Sequence, residues 1–316
     1  TRDTIERAVK RGAGGDDGFN GVEANSGSVH LFTFDDLSFT NPVYTATIGA
    51  GYIGANDLNL SGQLLTSDSF GYSISLDGTH LAISSSWGGD GFGDGLSNSG
   101  EVYLFSFDDL SFSNPAHVAT IGAGYTATND LDLTGILGIN DHFGTGVSLD
   151  GNRLVVGAVD GDGDADNWSG SGDVYLFTFD DANYSNLTLA STLGAGYTGG
   201  NNLDLAVSFD TLSLTDTEYF GSAVSLDGLN LAVGAELDGG FDQSGDRGAV
   251  YLFSFDDLNF SNPELNSILG AGYVGGTNLD LSSILDYGDR FGSSVSLEGT
   301  QLAVGAYYDA GFNNTE

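Results

Sequence analysis

Four aspartates alternate with small residues in the run Asp160-Gly-Asp162-Gly-Asp164-Ala-Asp166. Carboxylates at every second position of a glycine-rich loop can close around one hard cation, and Ca²⁺ suits such oxygen ligands. The run is not an EF-hand, because the twelfth position from Asp160 is Ser171, where that loop needs Glu. A solvated loop is the competing reading. Weaker candidates of the same kind are Asp90 with Asp94, and Asp238 with Asp242 and Asp246. Trp87 and Trp168 lie in loops of the same class. They could stack on sugar rings, or they could cover the loop by packing.

Other carboxylates invite an acid–base reading. Asp35-Asp36, Asp108-Asp109, Asp180-Asp181 and Asp256-Asp257 are paired in sequence. A catalytic pair is needed once, yet these occur at equivalent places along the chain, which favours turn formation by Asp side chains bonding nearby N–H groups. His30, His80, His117 and His142 form no His-x-x-x-His pair, so zinc finds no ligand set. The chain has no Gly-x-Ser-x-Gly elbow and no phosphate loop. No catalytic residues are assigned, and a non-enzymatic role is expected.

The charge narrows the partners. Seven Lys and Arg face 44 Asp and Glu, for a net charge of -37. Arg2, Arg7, Lys10 and Arg11 crowd the start, leaving Arg153, Arg247 and Arg290 for all that follows. Nucleic acid and anionic membrane surfaces are repelled. The carboxylates must be hydrated, protonated or matched by cations. Calcium and adaptation to salty surroundings are compatible readings of the same excess. There is no Cys and no Met, so disulfides and thiol chemistry are excluded. No apolar run is long enough for a membrane helix. The missing initiator Met fits a mature chain or a fragment.

These residues sit on a repeated scaffold. Val29-His30-Leu31-Phe32 returns at Val102, Val174 and Val250, at intervals of 73, 72 and 76 residues. Each copy is followed by an Asp pair, then Gly-Ala-Gly-Tyr ending at Tyr52, Tyr125, Tyr197 and Tyr273, then an Asn-x-Leu-Asx-Leu type segment. Next come Phe70-Gly71, Phe143-Gly144, Phe220-Gly221 and Phe291-Gly292, each opening a strand that ends in Ser-Leu-Asp-Gly or Ser-Leu-Glu-Gly. Asp77-Gly78, Asp150-Gly151 and Asp227-Gly228 read as two-residue hairpin turns, with Glu298-Gly299 a weaker fourth. The strands are apolar at successive positions, so both faces must be covered, and a lone sheet of four short strands cannot do that. An all-β array of stacked small sheets follows.

The order Phe-Gly-x-Ser/Ala-Val-Ser-Leu, Leu-Ala-Val-Gly-Ala, Gly-x-Val-Tyr-Leu-Phe resembles FG-GAP repeats, the units of integrin-α-like propellers and of bacterial surface proteins. The resemblance runs from about Ser26 to Ala306. It implies a β-propeller of about four-stranded blades, either a closed four-blade ring or an arc of a larger one. It also implies an extracellular or cell-surface location, in a bacterial source. The integrin Ca²⁺ loop lies between the first two strands of a blade, where this chain has only a tight Asp-Gly or Glu-Gly turn, so those ligands do not carry over. The organisation reads as a basic segment with an acidic Gly-rich loop over 1–25, then repeats at 26–98, 99–170, 171–246 and 247–316. Residues 1–13 fit either a broken Ala-Val-Gly-Ala strand or a short basic amphipathic helix. The expected function is adhesion, or binding of protein or glycan at a cell surface. The alternatives are a structural subunit of a larger or filamentous assembly, and a polysaccharide-active enzyme on the same scaffold.

Overall fold

The computed structural model describes residues 15–21, 23–88, 96–164, 167–206, 218–241 and 245–311. Both readings of residues 1–13 therefore lie outside the described residues. Every regular element described is a β-strand. The chain divides into two compact units, residues 1–152 with 179–187, and residues 153–178 with 188–316.

In the first unit, β1 (Ser28–Thr33), β2 (Val43–Gly49) and β3 (Leu58–Asn59) form one sheet. A second sheet runs in simple order through β4 (Ile74–Asp77), β5 (His80–Ser85), β6 (Glu101–Ser106), β7 (Ala116–Gly122) and β8 (Leu131–Asp132). β9 (Phe143–Leu149) packs beside β4 and β5. The second unit holds β10 (Arg153–Ala158), β11 (Asp173–Thr178), β12 (Thr188–Gly194) and β13 (Leu203–Asp204), adjacent in that order. It continues with a five-stranded sheet, β14 (Phe220–Asp227), β15 (Asn230–Ala235), β16 (Ala249–Ser254), β17 (Glu264–Gly270) and β18 (Leu279–Asp280), and a pair, β19 (Phe291–Glu298) with β20 (Gln301–Ala306).

Two features refine the expected blade. The Leu-Asx step adds a two-residue fifth strand, parallel to its neighbour, as in Ile121↔Leu131 and Leu269↔Leu279. The sheets also straddle the repeat boundaries drawn from sequence. β4 and β5 belong to the 26–98 repeat, whereas β6, β7 and β8 belong to the next. The hairpins form where Asp-Gly predicts them, with Asp77↔His80 and Asp227↔Asn230 closing the turns.

The covered faces explain the sequence motifs. Phe70 is fully buried, with its ring edge-on to Tyr103 at 5.5 Å and Phe105 at 6.1 Å. Phe220 stands in the same way against Tyr251 and Phe253. Each such ring contributes about 1.5–3 kcal/mol by burial. The Ser-Leu-Asp motif, read above only as strand and turn, also ties neighbouring sheets. Leu149 N–H donates to Ser75 Oγ at 2.9 Å and Gly151 N–H to Asp77 Oδ2 at 2.6 Å. In the second unit Leu297 N–H donates to Ser225 Oγ and Gly299 N–H to Asp227 Oδ2. Edge-strand N–H groups that would otherwise be orphaned inside the stack are thus satisfied.

One glycine position is obligatory. Gly100, just ahead of β6, has φ +87°, and a Cβ there would lie 2.1 Å from Phe143 O. Gly27, Gly172 and Gly248 repeat the arrangement. Gly100→Ala should lower the unfolding free energy by about 3–5 kcal/mol. Gly151→Ala, with φ +60° and no atom within 4 Å of the new Cβ, should lose only about 1–2 kcal/mol. Chemical denaturation of the two variants checks this, and equal losses would contradict the close-approach account.

Candidate functional site

The polar chemistry concentrates where sequence alone did not place it. The Tyr of Val-Tyr-Leu-Phe and the Tyr of Gly-Ala-Gly-Tyr converge on one carboxylate. In β6, Tyr103 Oη donates to Glu101 Oε1 at 2.9 Å, and Tyr125 Oη donates to Glu101 Oε2. Asp173 receives Tyr175 Oη at 3.4 Å and Tyr197 Oη at 3.1 Å. Asp238 receives Tyr251 Oη at 2.6 Å, Tyr273 Oη at 2.9 Å and Gly240 N–H at 2.7 Å. In the first sheet Asp16 receives Tyr52 Oη at 3.1 Å and Gly18 N–H at 2.7 Å, with His30 in place of the other Tyr.

The carboxylate comes from two different sequence positions. The N–H of the obligatory glycine donates to the carbonyl of Asp16, Gly88, Gly161 and Asp238 in the four copies, which makes these residues equivalent. The first residue of the following strand is Ser28, Glu101, Asp173 and Ala249. Where the loop supplies Asp, the strand residue is small and uncharged. Where the strand supplies the acid, the loop residue is Gly. Sterics enforce the choice: a Cβ on Gly88 would lie 2.6 Å from Glu101 Oε1, and one on Gly161 would lie 2.5 Å from Asp173 Oδ2. Each box therefore holds one such acid.

Burial dominates its electrostatics. Glu101 is pushed up to about 8, first by burial and then by the nearby charge of Asp68. Burial also raises Asp238. Tyr103 and Tyr251 are raised as well, by burial and then by the acid they face. The two tyrosine hydroxyls are thus fixed as donors. A second acid recurs two residues before each Phe-Gly: Asp68, Asp141, Glu218 and Asp289, all buried. Three of them also cap a turn, as Asp141 Oδ2 does by accepting Gly138 N–H at 2.7 Å.

The residues singled out from sequence have other occupations. Asp162 Oδ1 accepts Gly170 N–H at 2.8 Å, and Asp164 N–H donates to Ala195 O. Asp166, Asp90, Asp94 and Asp242 lie outside the described residues. Asp160 and Asp246 are described, but among the described residues no three His or acidic side chains gather as a metal shell. Asp238 is fully buried and accepts from tyrosine hydroxyls. Trp168 packs on the core of the second unit. Trp87 is 50% exposed and rests on His142, with ring centres 4.4 Å apart.

The Asp pairs are turn formers in all four copies. Asp36, Asp109, Asp181 and Asp257 each accept two backbone N–H groups, and Asp35, Asp108, Asp180 and Asp256 each hold an Asn amide. Those backbone bonds lower the four accepting carboxyls below the usual range. The sequence signal for the boxes was present in the complementary Asp/Gly and Ser/Ala/acid positions. It becomes visible only once the loop and strand residues are known to meet.

Removing one tyrosine hydroxyl should leave a buried acid under-bonded. Tyr103→Phe should lower the unfolding free energy by about 1–3 kcal/mol. Exposed Tyr287→Phe should change it by less than about 0.5 kcal/mol. Urea unfolding measures both, and a neutral Tyr103→Phe would contradict the box.

The FG-GAP repeat family model matches residues 64–105, 138–177, 215–253 and 286–316. No curated protein gives a significant match. Each matched segment but the last runs from just before the buried Asp or Glu, through the Phe-Gly hairpin, to the Val-Tyr-Leu-Phe strand. FG-GAP repeats are typically extracellular. Among the described residues no helix is long and apolar enough to cross a membrane. The chain carries four FG-GAP repeats, and its all-β repeated sheets are consistent with a β-propeller arc or ring built from them.

Proposed function

We propose that this chain is a non-catalytic extracellular propeller module that binds protein or glycan at a cell surface. One observation carries the reading. The carboxylates that could serve acid–base chemistry recur in equivalent copies, and the same turn and tyrosine hydrogen bonds occupy them in copy after copy. A catalytic centre needs a site unlike its repeats, with a carboxyl free to exchange a proton with substrate.

The surface supports binding. The Asp-Asp turns present Leu37, Leu110 and Leu258 at 64%, 71% and 58% exposure, equivalent apolar positions on an acidic surface. Ile53 and Val274 are exposed just after two of the Gly-Ala-Gly-Tyr turns. Such residues suit burial against a partner, and Trp87 over His142 offers a flat face to a sugar ring. The net charge favours neutral or cationic ligands over anionic ones.

Two measurements test this. Screening the protein on a glycan array and against a panel of polysaccharide substrates should give binding without turnover. Turnover that disappears on removing one unrepeated carboxylate would overturn the reading. Because Asp162 and Asp238 are held by backbone N–H groups and tyrosines, a chelator should leave the thermal midpoint unchanged. A fall of several degrees would restore calcium to the 160–166 loop.

A further inference from the structure

We propose that the seam between the turn after β5 and the approach to β9 binds a neutral sugar, with Trp87 stacked on one pyranose ring and the side-chain amides of Asn98 and Asn140 bonded to its hydroxyls. The site rests on the surface-binding reading above and gives it a place and a ligand class.

The frame of the seam is repeated, and its contents are not. In each copy the N–H of the residue before Phe-Gly donates to the carbonyl two residues ahead of the obligatory glycine: Ser69 to Asn25, His142 to Asn98, Tyr219 to Gly170 and Arg290 to Asp246. Those four donors share a left-handed backbone, with φ between 54° and 58°. The residue ahead of the equivalent Asp16, Gly88, Gly161 and Asp238 is Gly15, Trp87, Asp160 and Leu237. The second copy alone puts Trp there, set against the ring of His142 with centres 4.4 Å apart. A second departure coincides with it. Asn98 Nδ2 donates to Asn140 Oδ1 at 2.9 Å, whereas the equivalent positions hold Asn25 and Ser67 in the first copy and Asp246 and Gly288 in the fourth.

The aromatic platform is held from both sides. The His142 backbone is fixed by its N–H on Asn98 O and by Thr145 N–H on its own carbonyl, both at 3.2 Å. After Trp87, Gly88 N–H closes a turn onto Ser85 O, and Gly88 O accepts from Gly100. His142 covers one side of the indole, and Trp87 keeps half of its surface open. Packing alone does not account for that exposure, since the other tryptophan, Trp168, packs on the core of its unit. A ring already fixed loses little freedom when a sugar stacks on it, and its negative face suits the C–H groups of a pyranose.

The amide pair supplies the polar half. With one Asn98 N–H spent on Asn140 Oδ1, an acceptor on Asn98 and a donor on Asn140 stay available. Asn98 is bonded through its backbone to His142, and Asn140 lies two residues from it, so the pair sits beside the platform. A hydroxyl both donates and accepts, so neighbouring sugar hydroxyls match an acceptor and a donor side by side. The net charge of -37 turns away uronic and sialic acids.

The test is titration of the whole chain with neutral gluco-, manno- and galacto-oligosaccharides, with oligogalacturonate as the acidic arm, followed by tryptophan fluorescence and calorimetry. At least one neutral oligosaccharide should bind and shift the emission. Trp87→Ala should weaken that binding at least about thirtyfold and remove the emission change. Asn140→Ala should weaken it about fivefold. Should Trp87→Ala fold poorly, protection of the wild-type emission from acrylamide by bound sugar gives an independent reading. Neutral-sugar binding undiminished in Trp87→Ala, or bound sugar that leaves the emission unprotected, overturns this site and leaves the surface-binding reading in place. Preference for oligogalacturonate, or binding of protein with no sugar bound, does the same. Binding of neither protein nor glycan overturns both.

Discussion

A carboxylate buried without a cation is among the least favourable groups a protein can carry. This chain, with 44 acids and seven bases, cannot match each one with a salt bridge. Its solution is local and repeated. In three copies two tyrosine hydroxyls grip the acid, in the first a single tyrosine does, and the residue that would crowd it is cut back to glycine, alanine or serine. The tyrosines belong to adjacent strands or their turns, so satisfying the acid also fixes how those elements meet. Glu101 thereby ties β6 to the turn after β7, and Asp238 ties its loop to β16 and to the turn after β17.

Much else follows from holding that point in place. The strand carrying the first tyrosine begins at a left-handed glycine because the backbone of the next Phe-Gly passes too close for a side chain. The Phe brought in by that passage buries its ring against the tyrosine of the next Val-Tyr-Leu-Phe strand, as Phe70 does against Tyr103 and Phe220 against Tyr251. The Ser-Leu-Asp segment beyond it then accepts N–H groups of the neighbouring sheet. Polar satisfaction and apolar packing are met by the same few residues in each copy. This explains how sheets made of short strands remain specific without disulfides.

The fold was largely legible in the sequence because its signals are local. Asp-Gly turns, apolar strands and the order of Phe-Gly before Leu-Ala-Val-Gly-Ala can be read without knowing any contact. The Asp pairs were legible for the same reason, since their partners lie two to six residues away. The boxes were not, because Asp238 and Tyr273 are 35 residues apart and the acid changes place between copies. Asp238 looked like a loop ligand since loop composition says nothing about burial. The 160–166 loop shows the converse: its alternating carboxylates fit a cation pattern on paper, yet Asp162 is engaged in ordering its own loop.

An array that neutralises its own interior acids is free to present the loops and turns outside them to partners, which is where the exposed leucines and Trp87 lie. The central claim is that each junction needs one acid between its tyrosines, whichever element provides it. Transplanting the acid tests this most directly: a double-mutant cycle of Gly88→Asp and Glu101→Ala would convert the second box to the arrangement of the fourth. The account predicts that the double variant is more stable than the sum of the two single losses by about 1 kcal/mol or more. Strictly additive losses would contradict it.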